Sequence, residues 1–147
     1  MSDLTSTSGR LFFETISQNE LFMRTLSSHP IVVPVPLSSE KLKKRGYNQA
    51  ELLANYLSEK YNLQLESKVL VRNKSTKPQF KLNKEERQQN VQGAFDLDLK
   101  HKLLIRGSTI LLIDDLSTSC ATLRECAKIL KRNGAKVVLG VTFAREI

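Results

Sequence analysis

The sequence is poor in several features that mark particular classes of protein. It has two cysteines, no tryptophan, and only three tyrosines and six phenylalanines among 147 residues. Cys120 and Cys126 cannot supply four thiolates to a structural zinc ion, and we expect no disulfide between them in a reducing compartment. No apolar run is long enough to cross a membrane, and no basic-then-apolar signal segment opens the chain. These absences argue against a four-cysteine zinc site and a membrane span, and they favour a cytoplasmic location.

Another missing pattern bears on nucleotide chemistry. The sequence contains no Gly-x-x-x-x-Gly-Lys-Ser/Thr stretch, which is the backbone cradle that P-loop NTPases use for phosphates. Any phosphate site in this chain must therefore be built differently.

Basic residues are in excess. There are 23 lysines and arginines against 15 acidic residues, which gives a formal net charge of +8. This charge favours polyanionic partners, either pyrophosphate-bearing substrates or nucleic acid, and does not separate the two. Tyr47 and Phe80 are the only obvious stacking candidates among the basic residues, so the pattern for single-strand binding is weak.

The hydrophobic pattern predicts one α/β domain. Residues 1–9 are rich in serine and threonine and are expected to form a disordered leader, with the domain spanning 10–147. The expected elements are a helical segment in 10–27, strands at 31–36, 65–71 and 136–143, helices at 48–61 and after Asn83, a polar connector at 96–107 with a solvated His101, a buried strand at 110–113, and a helix from Thr122 to Gly134. This order implies a mainly parallel sheet flanked by helices.

One stretch of the sequence predicts both the central strand and a ligand site. Ile110–Ile113 is an apolar run that predicts a strand buried on both faces, and Asp114 and Asp115 follow it. Small hydroxylated residues and a helix come next, with a capping-box spacing between Thr122 and Glu125. A strand, a polar loop and a helix N-terminus form an anion site, because backbone N–H groups and the helix dipole face the loop. The same acids at a solvated turn remain the alternative interpretation.

This stretch resembles the phosphoribosyl pyrophosphate (PRPP) signature of type I phosphoribosyltransferases, which is four apolar residues, two acids, two variable residues, Thr-Thr-Gly, any residue and Thr. The resemblance implies that Asp114 and Asp115 hold the ribose hydroxyls. It also implies that the following loop wraps the 5′-phosphate; its residues are Leu116, Ser117, Thr118, Ser119, Cys120, Ala121 and Thr122.

Cys120 departs from that signature because it stands where the family has glycine. Glycine there permits a positive φ or a close phosphate approach. A Cβ at such a position costs on the order of 1 kcal/mol or more, or obstructs the phosphate.

A second anion site is expected after the strand at 31–36, where a basic loop precedes a helix. Its run Arg45-Gly46-Tyr47-Asn48-Gln49-Ala50, after Val-Pro-Val-Pro, resembles the ComF family of competence-associated phosphoribosyltransferase-like proteins. That resemblance covers about 31–145 and implies that Lys44, Arg45 and Gly46 face pyrophosphate. A solvated basic turn is the alternative.

The segment from Arg72 to Phe95 matches the same family in order and residue type. There it corresponds to the mobile loop that closes over PRPP, excludes water and brings cations to the departing pyrophosphate. The resemblance makes Arg72, Lys74 and Arg87 catalytic candidates together with the two aspartates. A surface loop whose charges aid solubility is the alternative.

The resemblance implies binding of PRPP with Mg2+, and it leaves open whether the phosphoribosyl group is transferred to an acceptor. The Mg2+ would have no direct protein ligand and would be reached through substrate and water near Asp114 and Asp115. The alternative is a non-catalytic competence module that binds single-stranded DNA or a helicase partner. The family's N-terminal four-cysteine zinc module is absent from this sequence, so we expect a truncated member or a second domain. The sequence does not predict the oligomeric state.

Overall fold

Three parallel strands form the sheet at the centre of the fold in the computed structural model, which describes residues 19–73, 82–117 and 120–145. The strands are β1 (Ile31–Pro34), β2 (Leu70–Arg72), β3 (Phe95–Leu97), β4 (Thr109–Ser117) and β5 (Val137–Arg145). The helices are α1 (Glu20–Ser27), α2 (Ser39–Arg45), α3 (Gln49–Tyr61), α4 (Lys84–Val91), α5 (Lys102–Ile105) and α6 (Ala121–Arg132), with a 3-10 turn at Leu99–His101. The predicted leader at 1–9 lies outside the described residues.

β4 is the central strand of the parallel sheet, with β1 on one side and β5 on the other. Its side chains alternate between two hydrophobic clusters, as a strand with a period of two requires. Ile110 and Leu112 pack in the cluster beneath α6, whereas Leu111 and Ile113 pack in the cluster beneath α1 and α3. This confirms the predicted α/β architecture with a mainly parallel sheet.

The register shows where the sheet opens. β1 pairs with β4 only as far as Pro34 opposite Ile113, whereas β5 continues to pair as far as Ser117 opposite Arg145. Proline has no N–H to donate, so Pro34 and Pro36 are compatible with the end of the β1 ladder here. Asp114 and Asp115 therefore lie within β4, and not after its end as the sequence suggested.

A two-stranded antiparallel sheet of β2 and β3 lies outside the parallel one. The single strand predicted at 65–71 is found only at its end, where Leu70 and Val71 belong to β2. Leu65 instead makes an isolated parallel bridge with Val32, and the β2 strand starts only at Leu70. Leu70, Phe95 and Leu97 turn into the cluster beneath α6 and attach this small sheet to the core.

The basic segment after β1 is helical, where the sequence suggested a loop. Ser38 caps α2 by accepting the Lys41 N–H at 3.3 Å, and Gly46 ends the helix with φ +80°. The helix predicted at 48–61 is confirmed as α3, with Asn48 at its N-cap. The short helix predicted after Asn83 is also confirmed as α4, and Asn83 and Glu86 form a complete capping box.

The connector before β4 contains more structure than expected. It includes the 3-10 turn and α5, and His101 is half-buried between two carboxylates instead of solvated. Its Nε2 lies 3.7 Å from Glu66 Oε2 and its Nδ1 lies 3.9 Å from Asp98 Oδ2. Within the described ranges, none of the helices is both long and apolar enough to span a membrane.

Candidate functional site

The candidate site lies at the carboxyl end of β4, which is where open α/β sheets bind ligands. Asp114 follows Ile110 and Leu112 along the strand and is only 8% exposed. Its Oδ1 accepts the backbone N–H of Asp115 at 2.9 Å. Burial, then the negative charge of Asp115, raises the pKa of Asp114 to about 7, and Arg72 acts in the opposite direction. The site therefore contains one carboxyl group that titrates near neutrality.

Asp115 is the more accessible acid of the pair. Its Oδ2 lies 3.9 Å from Nη1 of Arg45, the last residue of α2. Both side chains are partly exposed, so the pair is a weak electrostatic contact rather than a structural tie. It leaves Arg45 and Asp115 accessible to a ligand.

Arg72 ends β2 and supplies a second cation. Its guanidinium carbon lies 5.1 Å from the ring centroid of Phe95, and the side chain is within electrostatic range of Asp114 and Cys126. Burial lowers the pKa of Arg72, but an arginine stays charged at neutral pH. The family resemblance suggested a role at the pyrophosphate, whereas the structure brings Arg72 to the buried aspartate.

Lys41 is a residue of this site that the sequence argument missed. It lies one helical turn before Arg45 on α2 and is half-buried. Burial lowers the pKa of Lys41 first, and the positive charges of Arg72 and Arg45 lower it further, while Asp115 opposes them. Lys41, Arg45 and Arg72 therefore each lie within electrostatic range of Asp114 or Asp115. If a helix had been expected here, the i, i+4 spacing of Lys41 and Arg45 would have placed both residues on the same face.

Cys120 lies at the N-cap of α6 with φ +58° and ψ 17°, in the left-handed region. This is the backbone conformation for which the glycine of the signature is suited, and it is the first of the two reasons given above for a glycine at this position. The thiol gives α6 no side-chain capping hydrogen bond.

The start of α6 differs from the prediction by one residue. The helix begins at Ala121, and its first backbone bond runs from the Arg124 N–H to the Cys120 carbonyl at 2.9 Å. Glu125 does not form the predicted capping box. Its Oε1 accepts the Gly93 N–H at 3.3 Å, and its Oε2 lies 3.8 Å from Lys128 Nζ. The helix N-terminus itself still attracts anions.

The other predicted site residues are distributed as follows. Lys44 is exposed on α2, Gly46 is its C-cap, and Arg87 is half-buried on α4. The backbone of Leu116 and Ser117 belongs to β4, and Ala121 and Thr122 open α6. Lys74, Thr118 and Ser119 lie outside the described residues.

Cys126 packs next to the site as a core residue. It is fully buried in the cluster beneath α6, and burial raises the pKa of its thiol well above the usual range. This agrees with the apolar role suggested by the sequence.

A basic groove of about 80 Å³ lies between α4 and α6. It is lined by Lys84, Gln88, Val91, Ala121, Arg124, Glu125 and Lys128. Three cations face one acid there, and that acid is engaged by Gly93 and Lys128. The groove is a surface where an anionic ligand is electrostatically favoured.

The donor set suits a hydrated Mg2+ better than a cage of protein ligands. Among residues 19–73, 82–117 and 120–145, no group of three or more histidine, cysteine, aspartate and glutamate side chains is placed to hold a metal. Mg2+ commonly binds through one or two carboxylates, waters and substrate phosphates. Asp114 and Asp115 fit that pattern.

Comparison with known proteins gives one consistent group of relatives. The chain is 35% identical over 107 residues to DNA utilization protein YhgH of Escherichia coli K12, which covers 73% of this chain and 45% of that protein. It is 34% identical over 108 residues to competence protein F of Haemophilus influenzae, covering 73% and 46%. It is also 34% identical over 119 residues to competence protein ComFC of Bacillus subtilis, covering 80% and 45%.

The chain spans about half the length of the curated relatives it matches. No family model matches it.

Solved structures identify the fold. Glutamine PRPP amidotransferase from B. subtilis, complexed with ADP and GMP, matches with a TM-score of 0.50 and 19% identity over 82% of this chain and 25% of that one. A structure of the allosteric regulatory enzyme of purine biosynthesis matches with the same score and identity, over 82% and 24%. Over the segment that it shares with them, the chain is therefore related to competence and DNA-utilisation proteins, and its fold is that of a type I phosphoribosyltransferase.

Proposed function

We propose that this chain binds PRPP, or a closely related sugar pyrophosphate, together with Mg2+ as part of a competence or DNA-utilisation protein. The observation that carries the proposal is that Lys41, Arg45 and Arg72 each lie within electrostatic range of Asp114 or Asp115 at the carboxyl end of β4. Polar groups of both signs suit a ligand that carries hydroxyls as well as phosphates.

Each group has a role in this proposal. Asp114 and Asp115 accept hydrogen bonds from ribose hydroxyls, and the N-terminus of α6 holds the 5′-phosphate. The basic face of α2 holds the pyrophosphate. A Mg2+ near the two carboxylates, held through substrate and water, would neutralise charge on the pyrophosphate oxygens.

Transfer of the phosphoribosyl group is the catalytic extension of this proposal. As the C1–oxygen bond breaks, positive charge develops on the ribose and negative charge on the pyrophosphate. The protein then needs no nucleophile of its own, only donors and carboxylates fixed in advance. The acceptor that would take the phosphoribosyl group is left open.

The test is calorimetric titration of PRPP with Mg2+ into the chain and into Asp115→Asn. The variant removes one carboxylate charge from an accessible position, so we expect about tenfold or greater weakening with little change in melting temperature. Glu59→Gln, an exposed acid near the end of α3, is the matched control and should bind like the parent. Equal PRPP affinity in Asp115→Asn, or no binding by the parent, would contradict the proposal.

Single-stranded DNA binding is a second candidate function, favoured by the groove between α4 and α6. Its cations, with a net charge of +8 for the chain, suit a phosphate backbone, and relatives carry DNA-utilisation and competence names. Binding of a labelled oligothymidylate should weaken steeply with salt. In Lys84→Gln/Arg124→Gln, the slope of log affinity against log salt should become shallower by about 0.7 for each phosphate that is no longer neutralised.

Lys60→Gln, at the exposed end of α3, is the control for this second candidate. Salt-independent binding, or the same slope in the groove variant and the parent, would count against nucleic acid in this groove.

A further inference from the structure

Two leucines stand out on the surface of the segment that precedes β4. Leu99 is 76% exposed and Leu103 is 86% exposed, more than any other large hydrophobic residue among those that the structure describes. They are four positions apart along one short helical segment, Leu99 in the 3-10 turn and Leu103 in α5. Exposed apolar side chains that cluster in this way commonly mark an interaction surface.

The segment that carries them is firmly attached to the domain. Ile105 is fully buried, and Ser108 Oγ donates to the Leu104 carbonyl at 2.6 Å. At the other end, Asp98 accepts the Lys100 N–H at 3.1 Å. The outward direction of the two leucines is therefore set by the packing of their neighbours and not by a loosely held loop.

The charges around the leucines are basic. Lys100, Lys102 and Arg106 are all exposed. Lys68 is exposed as well, and it lies nearby because the carbonyl of the next residue, Val69, accepts the Asp98 N–H. The nearby acids Asp98 and Glu66 lie beside His101, on its two sides. A complementary surface would present apolar side chains within a negatively charged rim.

We propose that this leucine surface, defined as Leu99, Leu103, Lys100, Lys102 and Arg106, docks an acidic amphipathic segment of a partner protein. It adjoins the first residue of β4, whereas the candidate site lies at the carboxyl end of the same strand. A partner docked here leaves the ligand end of the sheet open, so the two can bind together. The proposal stands on the surface alone and does not depend on PRPP binding.

A protein segment fits this surface better than a lipid membrane or a second copy of the chain does. Two leucines on a seven-residue helical segment offer little area for insertion into a lipid surface. A second copy would bring two rims of like charge together, which opposes self-association. An acidic helix with two apolar residues satisfies both the leucines and their cations.

The experiment selects binders without assuming the partner. A phage library of random 16-residue peptides is panned on the full chain, with depletion on Leu99→Ser/Leu103→Ser. Leu21→Ser/Met23→Ser removes two exposed apolar residues from α1 and is the matched control. Circular dichroism and melting curves of both double variants establish that they fold.

We expect recovered peptides to carry net negative charge with two or more apolar residues. They should bind the parent and the α1 control equally and the Leu99/Leu103 variant at least tenfold more weakly. Recovery of uncharged or basic peptides, equal binding to the depleted variant, or no recovery would overturn the proposal. Two further results would overturn it: self-association of the parent in sedimentation, or binding of the parent to phosphatidylcholine–phosphatidylglycerol vesicles, where the Leu99→Ser/Leu103→Ser variant loses that property.

Discussion

At the scale of single residues, Asp114 makes stability depend on pH. Its pKa of about 7 in the folded chain lies above the value near 3.9 of an unfolded aspartate, so folding favours the protonated form. On this account the free energy of unfolding falls as pH rises from about 4 to about 7 and then levels off. The Asp114 carboxyl group, a candidate ligand contact, is thus held in the fold at a cost to stability.

Asp114→Asn should therefore be more stable than the parent at pH 8, by an amount of the order of 2 to 4 kcal/mol, and much closer to it at pH 4.5. The amide keeps the shape and needs no charge in the buried position. Urea unfolding at the two pH values measures the difference, with Glu59→Gln as the control that should follow the parent throughout. The same gain at both pH values would contradict the assignment.

Cys120 gives a second prediction at this scale. Cys120→Gly removes a Cβ from a left-handed residue, which relieves about 1 to 2 kcal/mol, and part of this gain is offset by the greater freedom of unfolded glycine. We expect a net stabilisation of up to about 1 kcal/mol and tighter PRPP binding in calorimetry. Cys120→Ala removes the thiol but keeps the Cβ, so it should not gain stability. A stable alanine variant and an unstable glycine variant would reverse this interpretation.

At the scale of elements, the proposed function makes α2 the helix that presents cations to the pyrophosphate. Lys41 lies one turn before Arg45 and is half-buried, whereas Lys43 is exposed. We expect Lys41→Gln to weaken binding of inorganic pyrophosphate about tenfold and Lys43→Gln to change it little. Ribose 5-phosphate, which has no pyrophosphate, should bind both variants like the parent. Equal effects of the two substitutions on pyrophosphate would show that α2 acts only through its net charge.

The same element shows why sequence alone placed the site only in part. Asp114, Asp115 and Arg45 were predicted as site residues because each lies in a motif with fixed spacing along the chain. Lys41 could not, because its role depends on the helical phase of a seven-residue segment that has no buried residue. Arg72 was predicted as a catalytic candidate, but its position within electrostatic range of Asp114 could not be predicted, because β2 pairs with β3 and that pairing joins residues far apart in the chain.

At the scale of the whole molecule, both hydrophobic clusters depend on β4. Leu57 is buried in the cluster beneath α3 and Leu130 in the cluster beneath α6, each with no exposed area. Leu57→Ala and Leu130→Ala should each lower the free energy of unfolding by about 2 to 5 kcal/mol in a single denaturation transition. Leu103→Ala, at an 86% exposed site, is the control and should change little. Separate transitions for the two faces would show that the clusters fold independently.

The general architecture could be read from the sequence because β4 and the faces of α3 and α6 have strong hydrophobic patterns. Ile110–Ile113 is a continuous apolar run, and Ala50, Leu53, Ala54 and Leu57 recur with helical spacing. The β2–β3 sheet was missed because three-residue strands have too short a pattern to recognise. The segment around Leu99 and Leu103 was missed because its apolar residues face solvent, where periodicity does not report a core.

The residues of β4 fall into two groups, one that supports the core and one that forms the candidate site. Ile110 to Ile113 are shared by both sides of the interior, so replacing any one of them disturbs the entire scaffold. Asp114 and Asp115, which follow directly, belong to neither hydrophobic cluster, and burial of Asp114 lowers the stability of the fold above neutral pH. Substitutions at Asp114 and Asp115 should therefore alter the candidate site while the two hydrophobic clusters stay in place.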